Sequence, residues 1–123
     1  MAHLLIVDDD PDVLDAFCAS LSGMGHEIWR ASSGLEALEI LDEKTGFDLL
    51  LTDIVMPGLH GFNLARMARL RYPDLRVLYI SGFMETIGQD IGPRLGPLLP
   101  KPIKPAELRH EVAQALAAGP VSL

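Results

Sequence analysis

Hydrophobic residues gather in several short runs along the chain, and longer amphipathic stretches separate these runs. Three runs end on an acid or a hydroxyl and a fourth leads into an amine, the residues being Asp8, Asp53, Ser81 and Lys101. Continuous apolar runs of this length are typical of strands buried on both faces, as in a parallel sheet. Because the carboxyl ends of such strands open at one edge of the sheet, we expect these four polar residues to lie close together.

The stretches between the runs carry helix signals. Asp10 is a candidate N-cap, Pro11 suits a first helical position, and apolar residues at helical spacing continue to Met24, before Gly25. The predicted strands are about 3–8, 26–30, 48–53 and 75–81 with a fifth before Lys101, and the helices begin near 11, 33, 62 and 105. Five strands alternating with helices predict an α/β fold with a doubly wound parallel sheet.

Residues 82–97 fit this pattern poorly. They combine several glycines and prolines with only a few apolar residues at helical spacing. Glycine and proline at this density disfavour a long helix. The sequence therefore predicts a weak or irregular fourth helix.

Composition narrows the class of protein. A chain of 123 residues is long enough for one domain with its own core. Its apolar runs are far shorter than the roughly 18 to 20 residues of a membrane helix, and the N-terminus lacks a secretory signal pattern. The net charge of −7 argues against a nucleic-acid surface, and the single cysteine, Cys18, cannot form an internal disulfide. A cytoplasmic protein with no membrane or nucleic-acid partner is expected.

Three carboxylates should meet at the predicted edge of the sheet. Asp8 and Asp9 leave the first strand, and Asp53 leaves the third, which is its neighbour in the strand order we expect. Repulsion among them would raise at least one pKa, and a hard cation such as Mg²⁺, which needs few protein ligands, would relieve it. A carboxylate beside a metal and the Lys101 amine is a plausible nucleophile toward phosphorus, with Ser81 as a hydrogen-bond donor.

At this point the chain resembles a response-regulator receiver domain over almost its whole length. The matching segments are LLIVDDDPDVL at 4–14, LLLTDIVMPGLHGF at 49–62, VLYISGF at 77–83 and KPIKPAEL at 101–108. The resemblance implies a flavodoxin-like fold of strand order 2-1-3-4-5, with the receiver domain in residues 1–119 and a tail in 120–123. Single-domain receivers and the C-terminal receivers of hybrid sensor kinases are both similar to this sequence.

The resemblance also implies roles for individual residues. Asp53 would accept a phosphoryl group from a sensor histidine kinase or a histidine phosphotransfer protein, and a downstream protein would read the change. Asp9 would bind Mg²⁺ directly, Asp8 mainly through water, and Val55 through its backbone carbonyl. The hydroxyl of Ser81 would follow the phosphoryl group, and Lys101 would stand beside it, before a cis bond to Pro102. Such a domain phosphorylates itself but turns over no metabolite.

Two features depart from the family pattern. Leu98 stands where receivers commonly have a tyrosine or phenylalanine, so we expect phosphorylation to shift order in residues 82–97 instead of rotating an aromatic ring. Val55 and Phe83 occupy positions that tune attack by water on the phosphoryl group. Since both are apolar, slow self-dephosphorylation is expected.

Two alternatives belong to other functional classes. A pseudo-receiver would bind partners without phosphorylation, but it would have no reason to gather mutually repelling carboxylates. A Mg²⁺-dependent phosphohydrolase would also use an aspartyl phosphate. Such enzymes usually place a general acid just after the nucleophile, whereas Ile54 and Val55 follow Asp53 here.

Overall fold

The computed structural model describes residues 1–82 and 94–121. In these residues five strands form one parallel sheet of order β2-β1-β3-β4-β5. The strands are β1 (His3–Val7), β2 (Glu27–Ala31), β3 (Leu49–Asp53), β4 (Arg76–Ser81) and β5 (Leu98–Pro100). The predicted sheet and its strand order are confirmed.

The described residues contain four helices, namely α1 (Pro11–Leu21), α2 (Gly34–Glu43), α3 (Gly61–Arg71) and α4 (Pro105–Ala118). The Asp10 side chain caps α1 by accepting from the backbone N–H groups of Asp12 and Val13, as its position predicts. Ser33 caps α2 by accepting from the Glu36 N–H. No helix in the described ranges is long and apolar enough to cross a membrane.

The helices cover both faces of the sheet. Along β1, Leu4 and Ile6 pack with α1 and α4, whereas Leu5 and Val7 pack with α2 and α3. Side chains of successive strand residues point to opposite faces, so a continuous apolar run supplies both layers. The cores on the two faces hold the sheet in place, and its carboxyl edge is left for polar residues.

Several predicted boundaries differ from the structure. The first helix ends at Leu21 and not near Met24, because Ser22 is extended and Gly23 has a φ of 89°. β1 stops at Val7, so Asp8 lies just beyond the strand. β2 is shifted by one residue from the predicted 26–30. Most of the predicted irregular fourth helix, and Phe83, lie outside the described residues.

Candidate functional site

The four predicted site residues come together at the carboxyl ends of the strands. Asp8 follows β1, Asp53 ends β3, Ser81 ends β4 and Lys101 follows β5. Asp8 and Ser81 are fully buried, and Asp53 is 5% exposed. Buried acids are rare unless they are paired, so this edge needs a compensating charge.

Lys101 supplies that charge. Its Nζ lies 2.7 Å from Asp8 Oδ2 and 3.2 Å from Asp53 Oδ2, so one ammonium bridges residues from two different strands. Its backbone N–H donates to the Ser81 carbonyl oxygen at 2.9 Å, which ties the lysine to the end of β4. The bond from Lys101 to Pro102 is cis, as the resemblance implied.

Backbone N–H groups hold the other carboxylate oxygens. The Ile54 N–H donates to Asp53 Oδ1 at 2.8 Å, and the Asp10 N–H donates to Asp8 Oδ1 at 2.9 Å. Each acid is therefore held between a backbone donor on one oxygen and Lys101 on the other. This arrangement fixes the orientation of both carboxylates before any ligand binds.

Opposing effects set the proton affinities of the pair. Burial is the main cause that raises the pKa of Asp53 above its ordinary value, and the negative charge of Asp8 adds to it, while Lys101 opposes them. Burial by itself would lower the pKa of Lys101, but the hydrogen bond to Asp8 and the charge of Asp53 raise it above its ordinary value. Lys101 therefore stays charged at neutral pH, and Asp53 is a more basic carboxylate than an exposed aspartate.

The donor set fits a hard divalent cation. Carboxylate oxygens of Asp8, Asp9 and Asp53 lie within 4.8 Å of one another. Asp8 Oδ2 is buried, and the Lys101 ammonium lies 2.7 Å from it. Asp9 is exposed, so the cluster opens to solvent on one side. Mg²⁺ prefers a few carboxylate oxygens together with several retained waters. This cluster offers the carboxylates, and its exposed side leaves room for water.

The loop after β3 is held close to Asp53. The Gly61 N–H donates to the Ile54 carbonyl at 2.8 Å. A Cβ added at Gly61 would lie only 2.2 Å from the Asp53 carbonyl oxygen, so this close approach requires glycine. Val55, two residues after Asp53, is 44% exposed.

Sequence reasoning missed one contact at this site. The buried hydroxyl of Thr52 donates to the Asp53 carbonyl oxygen at 2.8 Å, and so helps to fix the backbone at the end of β3. A threonine that interrupts an apolar run was the signal that could have found it.

Comparison with known proteins identifies the class to which this fold and site belong. A family model, the response regulator receiver domain, matches residues 4–113, and the chain belongs to this family. Receiver domains of two-component systems have a general function, the acceptance of a phosphoryl group, and they are not conventional enzymes.

Particular relatives span nearly the whole chain. The response regulator receiver protein CpdR of Brucella abortus is 36% identical over 120 residues, which cover 96% of this chain and 99% of CpdR. The receiver domain of the hybrid histidine kinase CckA aligns with a TM-score of 0.80 at 34% identity, covering 94% of this chain and 99% of that one. The response regulator TrrA of Thermotoga maritima, solved in complex with Mg²⁺-BeF, aligns with a TM-score of 0.82 at 26% identity, covering 94% and 99%.

Proposed function

We propose that Asp53 accepts a phosphoryl group from a phosphohistidine of a sensor histidine kinase or a histidine phosphotransfer protein. The observation that carries this proposal is the bridge from Lys101 to both Asp8 and Asp53, which joins one cation to two buried carboxylates of different strands. The family of the chain supports the reaction class, and the position of Asp53 at the end of β3 supports the choice of acceptor.

In the proposed reaction, a carboxylate oxygen of Asp53 attacks the phosphorus atom. The new O–P bond forms as the P–N bond to the donor histidine breaks, and its electron pair returns to the imidazole nitrogen. The Lys101 ammonium stabilises negative charge on the phosphoryl oxygens, and the Ser81 hydroxyl donates a hydrogen bond to one of them.

Asp8, Asp9, Asp53 and the Val55 carbonyl would hold Mg²⁺. When bound, the ion offsets charge on the carboxylates and on the phosphoryl oxygens. Asp8 is fully buried, and the Asp10 N–H fixes the orientation of its carboxylate, so Asp8 would form the buried side of the metal site. Asp9 is exposed and would complete the site from the solvent side.

The same site weighs against the two other functions considered from the sequence. A scaffold that is never phosphorylated gains nothing from two buried carboxylates and an ammonium, which cost stability when they are taken out of water. A phosphohydrolase needs a proton donor for its leaving group just after the nucleophile. In this chain Ile54 is fully buried and apolar, and Val55 is apolar as well.

A surface beside Lys101 suits the phosphoryl donor. Val13, Ala16 and Phe17 of α1 line an apolar depression, whose other wall is Lys101 with Pro102 and Ile103. A helix that carries a phosphohistidine could bury apolar residues here and bring its imidazole to the open side of the acidic cluster. We assign this depression to the donor protein.

Phosphorylation of the purified protein by acetyl phosphate tests the proposal. With Mg²⁺ present, mass spectrometry should find one added phosphoryl group, and EDTA should abolish it. Asp53→Asn should prevent the addition, whereas Asp48→Asn, an acid at the other end of β3, should leave it unchanged. Addition to the Asp53→Asn variant at the parent rate would overturn the choice of acceptor, and no addition to the parent would overturn the proposed reaction.

A further inference from the structure

Tyr79 is a buried tyrosine that lies outside the acidic cluster of Asp8, Asp9 and Asp53. It is 1% exposed in the middle of β4, on the face that packs against α2 and α3. In the sheet register it is paired with Leu98 of β5. Leu98 occupies the position at which receivers commonly have an aromatic residue. In this chain an aromatic residue, Tyr79, lies beside that position on the neighbouring strand.

Tyr79 holds the chain just before β5. Its hydroxyl accepts a hydrogen bond from the Leu95 N–H at 3.3 Å, and Leu95 is itself buried. Its backbone N–H donates to the Pro97 carbonyl at 2.9 Å. Burial raises the pKa of the Tyr79 hydroxyl, which keeps the group neutral at physiological pH. One residue thus binds the segment before β5 through both its side chain and its backbone.

The segment also packs unusually close to β4. A Cβ added at Gly96 would lie 1.7 Å from the Val77 carbonyl oxygen, so the backbone at this point lies directly against β4. β5 itself has only three residues, and its ladder with β4 is correspondingly short. A short ladder fixes the position of a strand weakly, so contacts outside the ladder have to hold it in place.

Tyr79 also contacts α3, the helix that follows the loop after Asp53. Its ring contacts the Phe62 ring, with centroids 4.8 Å apart. Phe62 lies in the first turn of α3, directly after Gly61, whose N–H is bonded to Ile54. Tyr79 therefore touches both the segment that leads to Lys101 and the helix that begins at the end of the Asp53 loop.

We propose that Tyr79 is a positioning residue that sets the placement of β5 and, through it, the reach of Lys101 to Asp53 and Asp8. The lysine has to extend across β4 to residues of β3 and β1, so a small movement of β5 moves its ammonium away from both carboxylates. The inference rests on the proposed function, because its effect is on phosphorylation of Asp53. It adds a residue on β4 that acts through Lys101 without touching the phosphoryl group.

Tyr79→Phe is the direct test, because it removes the hydroxyl and keeps the ring. A buried neutral hydrogen bond changes an equilibrium by roughly a factor of ten or less, so we expect acetyl phosphate to phosphorylate this variant about fivefold more slowly. Amide exchange at Leu95 should speed up, since its N–H loses its acceptor. In a Lys101→Met background, adding Tyr79→Phe should cause no further slowing, because its effect passes through the lysine.

Tyr72→Phe is the matched control. It removes another tyrosine hydroxyl, which lies 2.8 Å from the Leu41 carbonyl oxygen and contacts the Lys44 carbonyl, far from Lys101. It should lower stability without slowing phosphorylation. Circular dichroism and thermal melting would establish that each variant is folded, so that rates are compared among folded proteins.

The possible outcomes separate this inference from the proposed function. If the parent accepts no phosphoryl group, the proposed function fails. If the parent is phosphorylated and Tyr79→Phe reacts at the parent rate, the positioning role alone fails. Equal slowing by Tyr79→Phe with and without Lys101 would also overturn it, because the tyrosine would then act by another route.

Discussion

The carboxyl and amino ends of the same sheet carry different kinds of side chain. At the carboxyl end, Asp8, Asp53 and Ser81 are buried together with much of Lys101. At the amino end, four rings contact one another in sequence, from His3 through Trp29 and Phe47 to Tyr72. One end thus concentrates charge that is costly to bury, and the other concentrates apolar and aromatic contact that is favourable.

Polar groups also contact the aromatic cluster at the amino end. Trp29 and Phe47 meet edge to face with centroids 5.3 Å apart, and the Lys44 Nζ lies 5.9 Å from the Trp29 ring centroid. The Asp48 carboxylate accepts from the His3 N–H at 2.9 Å. Such contacts stabilise the fold without needing a ligand.

The two ends of the parallel sheet have different roles, since the amino end contributes stability and the carboxyl end holds the reactive groups. Its apolar strands are anchored by two helix layers and by the aromatic amino end, so its carboxyl end can hold groups that would otherwise oppose folding. Substitutions at the amino end should therefore change stability and leave phosphorylation intact. Substitutions at the carboxyl end should change phosphorylation, and some of them should even stabilise the protein.

Phe47→Ala should have the largest effect on stability. Phe47 is 5% exposed and contacts both Trp29 and Tyr72, so truncation leaves a cavity and should lower the free energy of unfolding by about 3 to 5 kcal/mol. Urea titration would measure this loss. The folded fraction should accept a phosphoryl group at the parent rate, and a large fall in that rate would contradict the division between the two ends.

Lys101→Ala should destabilise by a similar or slightly smaller amount, about 3 kcal/mol, because it leaves the buried Asp8 carboxylate without its cation. Adding Asp8→Asn should recover part of that loss, since the remaining buried group is then neutral. Urea titration of the two single variants and the double variant would measure the coupling. If the losses in the two single variants simply added up in the double variant, Lys101 would not stabilise the fold through its ion pair with Asp8.

Asp53→Asn should stabilise the metal-free protein, by an amount on the order of 1 kcal/mol at pH 7. The folded-state pKa of Asp53 is raised, so ionisation of this group favours the unfolded chain once the pH exceeds its ordinary value of 3.8. The penalty is complete above the raised pKa and absent well below 3.8, so the advantage of the variant should fade in acid.

Thermal melts of both proteins in EDTA, from about pH 3 to pH 8, would measure this advantage. If the variant were less stable than the parent at pH 7, the buried charge of Asp53 would not destabilise the metal-free protein. Asp48→Asn is a suitable comparison, because Asp48 lies at the amino end and bonds a backbone N–H.

The smallest effect concerns the lifetime of the phosphoryl group. Val55 lies two residues after Asp53 and is exposed, and its apolar side chain cannot orient an attacking water molecule. We expect slow self-dephosphorylation in the parent and a few-fold faster loss in Val55→Asn, which follows from the modest contribution of one hydrogen bond. Decay of the phosphorylated protein after removal of acetyl phosphate would measure both rates, and a parent half-life of seconds at neutral pH would contradict the prediction.

Much of the fold could be predicted from the sequence because its signals are local. The buried strands β1 and β3 are continuous apolar runs, and Asp10 with Pro11 marks the start of α1 before any tertiary contact is known. The convergence of Asp8 and Asp53 followed from the pairing of β1 with β3 in a parallel sheet.

What could not be predicted depends on contacts between distant residues. The end of α1 at Leu21 depends on the backbone of Ser22 and Gly23, which the apolar periodicity through Met24 concealed. The hydrogen bond between Tyr79 and Leu95 joins residues that are far apart along the chain, so no local sequence pattern predicts it. Similarly, the sequence offered no sign that Phe47 lies between Trp29 and Tyr72.

Identification of the modified residue is the most direct test of the account. Borohydride reduces an aspartyl phosphate to homoserine, so treatment of the phosphorylated protein followed by peptide sequencing would mark the acceptor. We expect homoserine at position 53 and at no other aspartate, and only when Mg²⁺ accompanies the phosphoryl donor. Conversion at Asp8 or Asp9, or none at all in protein that carries a phosphoryl group, would contradict it.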